Sequence, residues 1–592
     1  MFPIMHLSFQ EANMADYMKT YEQWVNSSFF DENTRAELAA IEGDEAEIRE
    51  RFFDDLEFGT AGLRGIIGAG TNRMNTYVVA RATQGLANYI ISRHGQSRGV
   101  AIAFDCRRFS PEFADVAACV LAANGIKAFR FESLRPTPEL SFAVRYLGCI
   151  AGINITASHN PPEYNGYKVY WEDGAQITPP NDIGIMLEVK KLSIEDSKMI
   201  TVEEAKEKGL YQVIGQEVDD AYIAELKKLV IHQDTIQQYA GDITVVYSPL
   251  HGTGNIPARR ILAELGFTNV FVVPEQELPD GDFPTVSYPN PEAKEAFELA
   301  LKLAKEKDAD LVLATDPDAD RLGVYVKDTA SGEYKCLTGN MSGSLLAEYE
   351  ISQIQATRGL PSDGRLIKSI VTTNLAACIA DNYGVKLEEC LTGFKFIGQK
   401  MLAYEHSGHG TYLFGFEESY GCLIGTHARD KDAIVATMAL CEAATFYKSQ
   451  GKTLWDAMID MYERYGYWTD NICTITMKGV DGVEKIKSIM KLLRKDIPTE
   501  IAGYDVIAVR DYDTDVVRNL HTGAKTPTFL PKSNVLYFEL SDSAWLCVRP
   551  SGTEPKIKFY YGLKGISMED AAAKSKDFEQ KLQSLINSLL NA

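Results

Sequence analysis

The chain has 592 residues, beyond the length at which a single hydrophobic core stops growing, and at ~150 residues per domain it should hold about four domains. With 45% hydrophobic and 24% charged residues, it is not a disordered, collagen-like or coiled-coil protein. Lys and Arg number 60 against 82 Asp and Glu, a formal charge of −22. That makes it a poor candidate for sequence-independent binding to nucleic acid or anionic membranes, and it requires any anionic substrate to meet locally concentrated cations.

The first 20 residues, MFPIMHLSFQEANMADYMKT, lack the basic start and long apolar stretch of a signal peptide. No apolar run reaches the ~18 residues of a membrane span. Ten cysteines scattered from Cys106 to Cys547, with no CxxC pair, point to a reducing cytoplasm and to buried, unreactive thiols.

Residues 1 to about 55 read as polar helices anchored by Trp24, Phe29, Phe30, Leu38, Phe52 and Phe53. Met14 offers a second start, which makes 1–13 a dispensable leader. From Val100 apolar strands alternate with helices: VAIAF, IKAFRF and CIAGINIT are strands, PEFADVAACVLAAN and TPELSFAVRYLG helices. The pattern restarts at ITVVYSPL, continues through ADLVLAT, and restarts again at LIKSIVTT, VKLEECL and TYLFGF. Such alternation implies βαβ units, three of them in succession. After about Tyr462 five strands, ICTITM to IKFYYG, come with two helices, an antiparallel sheet covered on one side. The expected domains are 1–225 (a helical segment and α/β domain I), 226–335 (α/β domain II), 336–460 (α/β domain III) and 461–592 (α+β domain IV). No low-complexity linker separates them, so they should pack together.

Five segments carry chemistry. In ATDPDADR, Asp316, Asp318 and Asp320 alternate after an apolar strand. Carboxylates this close repel unless a hard cation such as Mg²⁺ or Ca²⁺ holds them. An EF-hand is excluded, because Arg321 and Lys327 stand where its Gly and Glu belong. In NITASHNPPEYNGYK, Ser158 follows a strand, where α/β proteins place ligands, and could carry a phosphoryl group beside Lys168. His159 comes next in the chain, and consecutive side chains of an extended segment point apart, which makes it a poor base for Ser158. VRPSGTEPKIKFYY supplies a phosphate cradle from Arg549, Ser551, Gly552 and Thr553, with Lys556 and Lys558 at strand alternation. In GFEESYG, Glu417 and Ser419 suit sugar hydroxyls, while Glu418 between them reads as solvated. GTAGLRG reads as a flexible glycine loop bearing Arg64, and it is no Walker A sequence. Lys431 sits in a charge run, and His251 reads as a satisfied loop histidine.

Together, TASHNP, DPDADR, GFEES and RPSGTEPK in that order, with LTGFKFIG and GTAGLRG, resemble the α-D-phosphohexomutase superfamily from Glu57 to Tyr561. The sugar loop is similar to that of the α-phosphoglucomutase branch and lacks the GEMSGH of the dual-specificity enzymes. The resemblance implies three α/β domains with mixed sheets plus a C-terminal α+β domain of the TBP-like class. It further implies a phosphoserine at Ser158 and Mg²⁺ held by Asp316, Asp318, Asp320 and a Ser158 phosphate oxygen. The catalytic set would be Ser158, His159, Lys168 and Arg64. Arg321, Thr392, Gly393, Glu417, Ser419 and Lys431 would contact the sugar phosphate, and Arg549, Ser551, Gly552, Thr553 and Lys558 its non-reacting phosphate.

The implied activity interconverts glucose 1-phosphate and glucose 6-phosphate through glucose 1,6-bisphosphate, in a cytoplasmic monomer or weak homodimer. Phosphopentomutase, phosphomannomutase, glucose 1,6-bisphosphate synthase and a metal-dependent phosphatase are the alternatives. Two departures, Phe416 before the sugar-loop Glu and lysines where some members place a second Arg, resemble the branch that includes phosphopentomutases and bisphosphate synthases.

Overall fold

The computed structural model describes the chain except residues 1–16, 60–61, 478, 552–555 and 592, and the side chains of 479–481 and 591. The leader expected at 1–13 lies outside the described residues. The chain divides into two compact units, one of Met1–Tyr325, Gly398–His406 and Gly421–Thr445, the other of Val326–Ile397, Ser407–Tyr420 and Phe446–Ala592.

In the first unit, helices at 17–26, Glu32–Ala39 (α1) and Glu45–Phe52 (α2) open the chain. Asp31 and Asp44 cap the last two, each accepting a bond from a first-turn N–H. Their core is Tyr17, Tyr21, Trp24, Phe30, Leu38, Ile48 and Phe52. Phe29 and Phe53, expected among the anchors, are instead 44% and 49% exposed. Each adjoins a buried phenylalanine in sequence, and the local backbone turns only one of the two inward.

A six-stranded sheet follows, built from Gly62–Ile66 (β1), Val100–Phe104 (β2), Ala128–Phe131 (β3), Ala151–Ile155 (β4), Tyr164–Trp171 (β5) and Tyr211–Ile214 (β6), in the order β1-β5-β4-β2-β3-β6. β2 runs parallel to β3 and β4, and both β2 and β4 are wholly buried, as their unbroken apolar sequences require. β5 is antiparallel to β4 and β1, so the sheet is mixed. GLRGI at the sheet edge, read as a loop, is therefore a strand, and so is YNGYKVYW, which carries Lys168 and has no element expected over it. Glycines weakened both signals, yet Gly62 and Gly166 are there because a Cβ would lie 1.9 Å from the Tyr167 carbonyl oxygen and 2.4 Å from that of Thr156. Helices Thr76–Ser92 (α3), Ser110–Ala123 (α4) and Thr137–Tyr146 (α5) accompany this sheet.

A second sheet is centred on Thr244–Ser248 (β7), which is parallel to Asn269–Val272 (β8) and Leu311–Thr315 (β9). Beyond β9 comes Leu322–Lys327 (β10).

In the second unit, Gly364–Ser369 (β11) lies parallel to Lys386–Cys390 (β12) and Thr411–Glu417 (β13). The C-terminal sheet runs antiparallel through Tyr467–Thr476 (β14), Lys556–Gly565 (β15), Trp545–Pro550 (β16), Leu536–Leu540 (β17) and Tyr504–Asp511 (β18), named here in spatial order. Helices Gly479–Lys495 and Met568–Asn591 cover one face through Ile489, Leu493, Phe578 and Leu582. On the other face Tyr537, Trp545, Cys547 and Tyr560 pack against Ile370, Val371 and Leu391.

The contact between this sheet and β11–β12 is also ionic. The Lys368 ammonium, fully buried, lies 3.1 Å from Glu389, whose other oxygen lies 2.6 Å from Arg510. Burial opposes ionisation of Glu389, but the Lys368 and Arg510 charges outweigh it and hold its pKa at about 2. A depressed carboxyl stabilises the fold above its unfolded pKa of about 4.3, and that contribution disappears as pH falls toward the folded value. Glu389→Gln should therefore cost about 1.5–3 kcal/mol at neutral pH by taking the charged partner from buried Lys368, while Arg510 keeps Glu539 at 2.7 Å, and the cost should shrink below about pH 4. Denaturant unfolding at pH 7 and pH 3.5 checks this, and equal losses at both would exclude it.

The ten cysteines are all free, but only six are buried. Cys106, Cys336, Cys378 and Cys473 are partly exposed, a correction to the expectation of buried thiols. Among the described residues no helix is long and apolar enough to cross a membrane.

Candidate active site

Ser158 stands three residues beyond β4, buried and in the left-handed region at φ 52°. A serine holds that conformation at a cost of order 1–3 kcal/mol, so the surroundings must impose it. Thr156 Oγ1 accepts from the Ser158 N–H at 2.8 Å. The guanidinium of Arg107, itself buried, donates to the carbonyls of Ser158 (2.6 Å), Pro161 (2.8 Å) and Tyr164 (3.0 Å), and to that of Asn160. Its ring of acceptors is closed by Asp105 and by the Phe283 ring 5.0 Å away.

The left-handed turn breaks strand alternation, so His159 is not turned away. Its Nδ1 lies 3.2 Å from Ser158 Oγ, a correction to the expected geometry. Burial, then the positive charges of Arg321 and Arg64, push the imidazole well below its usual pKa and keep it neutral.

Ser158 Oγ donates to Asp316 Oδ2 at 2.7 Å. The DPDADR turn is tight: Ala319 is left-handed, and Asp316 Oδ1 accepts from the N–H groups of Asp320 and Arg321, each at 3.1 Å. Gly252 in the SPLHGTG loop lets Pro317 approach, because a Cβ there would meet Pro317 Cα at 2.4 Å. His251 is a satisfied loop histidine, with Thr285 Oγ1 at 2.9 Å and the Leu278 carbonyl at 3.1 Å.

The three carboxylates are buried, and one ligand oxygen from each lies within 4.8 Å of the others. Lys168 donates to Asp318 Oδ2 at 2.6 Å, and Lys431 lies 3.1 Å from Asp320 Oδ2. Lys431, expected at the sugar, thus borders the carboxylate loop, where Asp430, itself accepting from the Tyr170 hydroxyl, also holds it. Asp318 Oδ1 and Asp320 Oδ1 are buried with no hydrogen-bond partner. Burial and the Asp318 and Asp320 charges push Asp316 well above the usual carboxylate range. Orphaned oxygens and mutual repulsion are what a hard cation relieves, and the donor set fits a metal ion of that kind.

Arg64, on β1, faces Gly166 across β5, while Gly62 faces Lys168. The register puts Arg64 and Lys168 on one face of the sheet, with Arg64 donating to Asn160 Oδ1 at 3.1 Å. Arg321 reaches Glu292 at 2.7 Å.

The second unit holds the remaining candidates. Glu417 ends β13, buried, and accepts from the Gly393 N–H at 2.7 Å. Gly393 is left-handed at φ 121°. Thr392 Oγ1 is buried without a partner, and Ser419 is half-buried. Glu418 is not solvated as expected: its Oε2 accepts from Ser369 Oγ (3.1 Å) and Thr372 Oγ1 (3.2 Å) at the end of β11. Arg549 and Lys558 are direct cross-strand partners on β16 and β15, which places two cationic residues side by side on one face of the sheet. The Ser551 N–H donates to the Lys556 carbonyl at 2.8 Å. Gly552 and Thr553 lie outside the described residues.

Sequence reasoning missed Arg107, Thr137 and Asn154. Arg107 carried a faint signal, a charged DCRR at the end of an apolar strand. Thr137 and Asn154 sit in ordinary helical and strand sequence and had none.

Three family models match: phosphoglucomutase/phosphomannomutase α/β/α domain I over residues 55–195, domain II over 220–332 and domain III over 338–465. A curated phosphoglucomutase of Staphylococcus epidermidis is 38% identical over 522 residues, 88% of this chain and 93% of that one. One from Staphylococcus aureus is 38% identical over 529 residues, 89% and 93%. Parafusin, a Paramecium phosphoglucomutase in its open form, matches with TM-score 0.68 at 18% identity, covering 89% of this chain and 95% of its own. A phosphoglucomutase/phosphomannomutase family protein of Burkholderia thailandensis matches with TM-score 0.61 at 20% identity, covering 89% and 97%. The orphaned carboxylates, the serine among them and the relatives agree: the chain belongs to the phosphoglucomutase/phosphomannomutase family.

Proposed function

We propose that the protein is a phosphoglucomutase. It would interconvert α-D-glucose 1-phosphate and D-glucose 6-phosphate through phospho-Ser158 and a glucose 1,6-bisphosphate intermediate, with Mg²⁺ as its metal. The observation that carries this reading is the Ser158 hydroxyl, 2.7 Å from Asp316 within a buried carboxylate triad that keeps two orphaned oxygens. Relatives named phosphoglucomutase, 38% identical over most of the chain, support the choice of sugar.

Phosphoryl transfer is mostly positioning and electrostatic stabilisation. Asp316, Asp318, Asp320 and a phosphate oxygen on Ser158 would hold Mg²⁺, which when bound neutralises charge on the transferred group. Arg107 fixes the serine loop, and Arg64 and Lys168 bring positive charge to its sheet face. Asp316 Oδ2, which accepts from the Ser158 hydroxyl, is placed to take its proton when the serine takes a phosphoryl group back, with His159 Nδ1 beside the same hydroxyl. Glu417 would hold sugar hydroxyls in either orientation, and the Arg549–Lys558 pair the phosphate that is not reacting.

The test is purified protein with Mg²⁺ and trace glucose 1,6-bisphosphate on glucose, mannose and ribose 1-phosphates. Glucose 1-phosphate should give the highest kcat/KM. A preference for ribose 1-phosphate would make the enzyme a phosphopentomutase, and net phosphate release without need of the bisphosphate would make it a phosphatase.

Arg549→Lys keeps the charge but loses the planar fork that bonds two phosphate oxygens at once. Losing one charge-assisted hydrogen bond of ~1.5–3 kcal/mol predicts a fall of about 10- to 150-fold in kcat/KM. Glucose 1-phosphate and glucose 6-phosphate should suffer alike, and metal affinity should not move. Steady-state kinetics with both substrates checks it, and a change under about twofold would show that this loop is a solvated turn.

A further inference from the structure

We infer that Thr137 and Asn154 are positioning residues for the metal site, dictating which carboxylate oxygen of Asp318 faces the cation. The inference rests on the proposed metal-dependent transfer at Ser158 and adds to it two residues that no motif gave a role.

Thr137 is the first residue of α5 and fully buried. It binds Asp318 twice. Its N–H donates to the Asp318 carbonyl at 2.8 Å, and its Oγ1 donates to Asp318 Oδ2 at 2.8 Å. The backbone bond fixes where the DPDADR loop sits, and the hydroxyl bond fixes how one carboxylate is turned.

A threonine hydroxyl has one proton, and something must decide where it points. Asn154 Nδ2 donates to Thr137 Oγ1 at 2.7 Å. With that lone pair used, the proton is left for Asp318. Asn154 is itself held on β4, buried, directly across from Lys168 on β5.

Asp318 Oδ2 therefore receives two donors, Thr137 Oγ1 and Lys168 Nζ. Oδ1 of the same carboxylate is buried and receives none. One oxygen is saturated and the other is reserved. Without the Thr137 hydroxyl, Lys168 alone would hold the group, and an ammonium is a point charge that does not fix a carboxylate's rotation.

Groups that orient metal ligands typically change metal affinity 10- to 100-fold when lost. The experiment is Mn²⁺ titration of the full, chelator-stripped chain, with free Mn²⁺ read by electron paramagnetic resonance. Thr137→Val is isosteric and keeps the backbone bond but loses the hydroxyl, so Mn²⁺ affinity should fall at least about tenfold. Thr137→Ala, which adds no methyl beside the carboxylate, should fall as far. Thr137→Ser keeps the donor and should stay within about threefold of wild type, with the metal-free melting temperatures of all three recorded alongside.

Val and Ala variants within about twofold of wild type would overturn the inference, and so would a Ser variant as weak as Val. Wild-type chain that binds no Mn²⁺ would overturn the metal reading itself, which separates the two failures.

Discussion

Ser158→Ala should lower mutase turnover by a factor on the order of 10³ or more, because a nucleophile that acts as covalent carrier has no substitute. Sugar-phosphate affinity should stay within a few-fold, since Glu417 and Arg549 belong to other loops. The fold should tolerate the change. Alanine bears the same left-handed strain as serine, and the Arg107 bonds run to main-chain carbonyls that alanine keeps. What disappears is the hydrogen bond to Asp316 and the longer one shared with His159 Nδ1, each worth about 1 kcal/mol. Kinetics in both directions and intact mass decide the matter. Active wild type should carry one phosphoryl group on Ser158 that the variant lacks, and wild-type turnover in the alanine protein would remove Ser158 from the reaction.

Much of this was legible in the sequence, for identifiable reasons. β2, β4, β7 and β9 are short unbroken apolar runs ending in loops, and no other element suits such sequence. The Asp triplet was legible because three carboxylates in five residues have one common explanation. What failed did so where a single backbone angle governs geometry. Side-chain alternation predicted that Ser158 and His159 point apart, but φ at Ser158 is 52° and brings them within 3.2 Å.

Strands β1 and β5 hid behind their glycines, residues that mark close backbone approach as often as flexibility. Glu418 looked solvated because sequence neighbours do not reveal Ser369 and Thr372, 46 or more residues away in the chain. Thr137 and Asn154 illustrate the same blindness at the site itself. Each is an unremarkable residue in a well-formed element, and only the crossing of α5, β4 and the DPDADR turn gives it a task.

Asp318→Asn should weaken metal binding and lower turnover by about 10²- to 10³-fold, with partial rescue at high Mg²⁺, because it removes charge from a hard-cation site and reverses a donor–acceptor pattern. Asp318 Oδ2 accepts from Lys168 and Thr137, so an asparagine oxygen would be drawn there. Its amide nitrogen would then occupy the position of Oδ1 and present two protons to the cation. Turned the other way, the amide would face the Lys168 ammonium.

Stability should move as well, and its sign follows from which electrostatic effect prevails at Asp318. Burial favours the neutral acid and is the largest single influence, but the Lys168 charge with the hydrogen bonds from Lys168 and Thr137 outweighs it, so the folded pKa lies below the ordinary carboxylate value. The ionised group thus stabilises the fold at neutral pH, and its loss should cost about 1.5–3 kcal/mol, the worth of a hydrogen bond to a charged partner. A depressed folded pKa means that this contribution is complete above the unfolded value of about 3.9 and is lost as pH falls below it. The gap in metal-free stability between wild type and variant should hold from pH 7 to about pH 4 and narrow beneath. Denaturant unfolding across that range, with turnover measured against Mg²⁺ and in EDTA, reads both effects. A gap that widens on acidification would reverse the assigned role of Lys168, and wild-type turnover unaffected by EDTA would take the metal out of the mechanism.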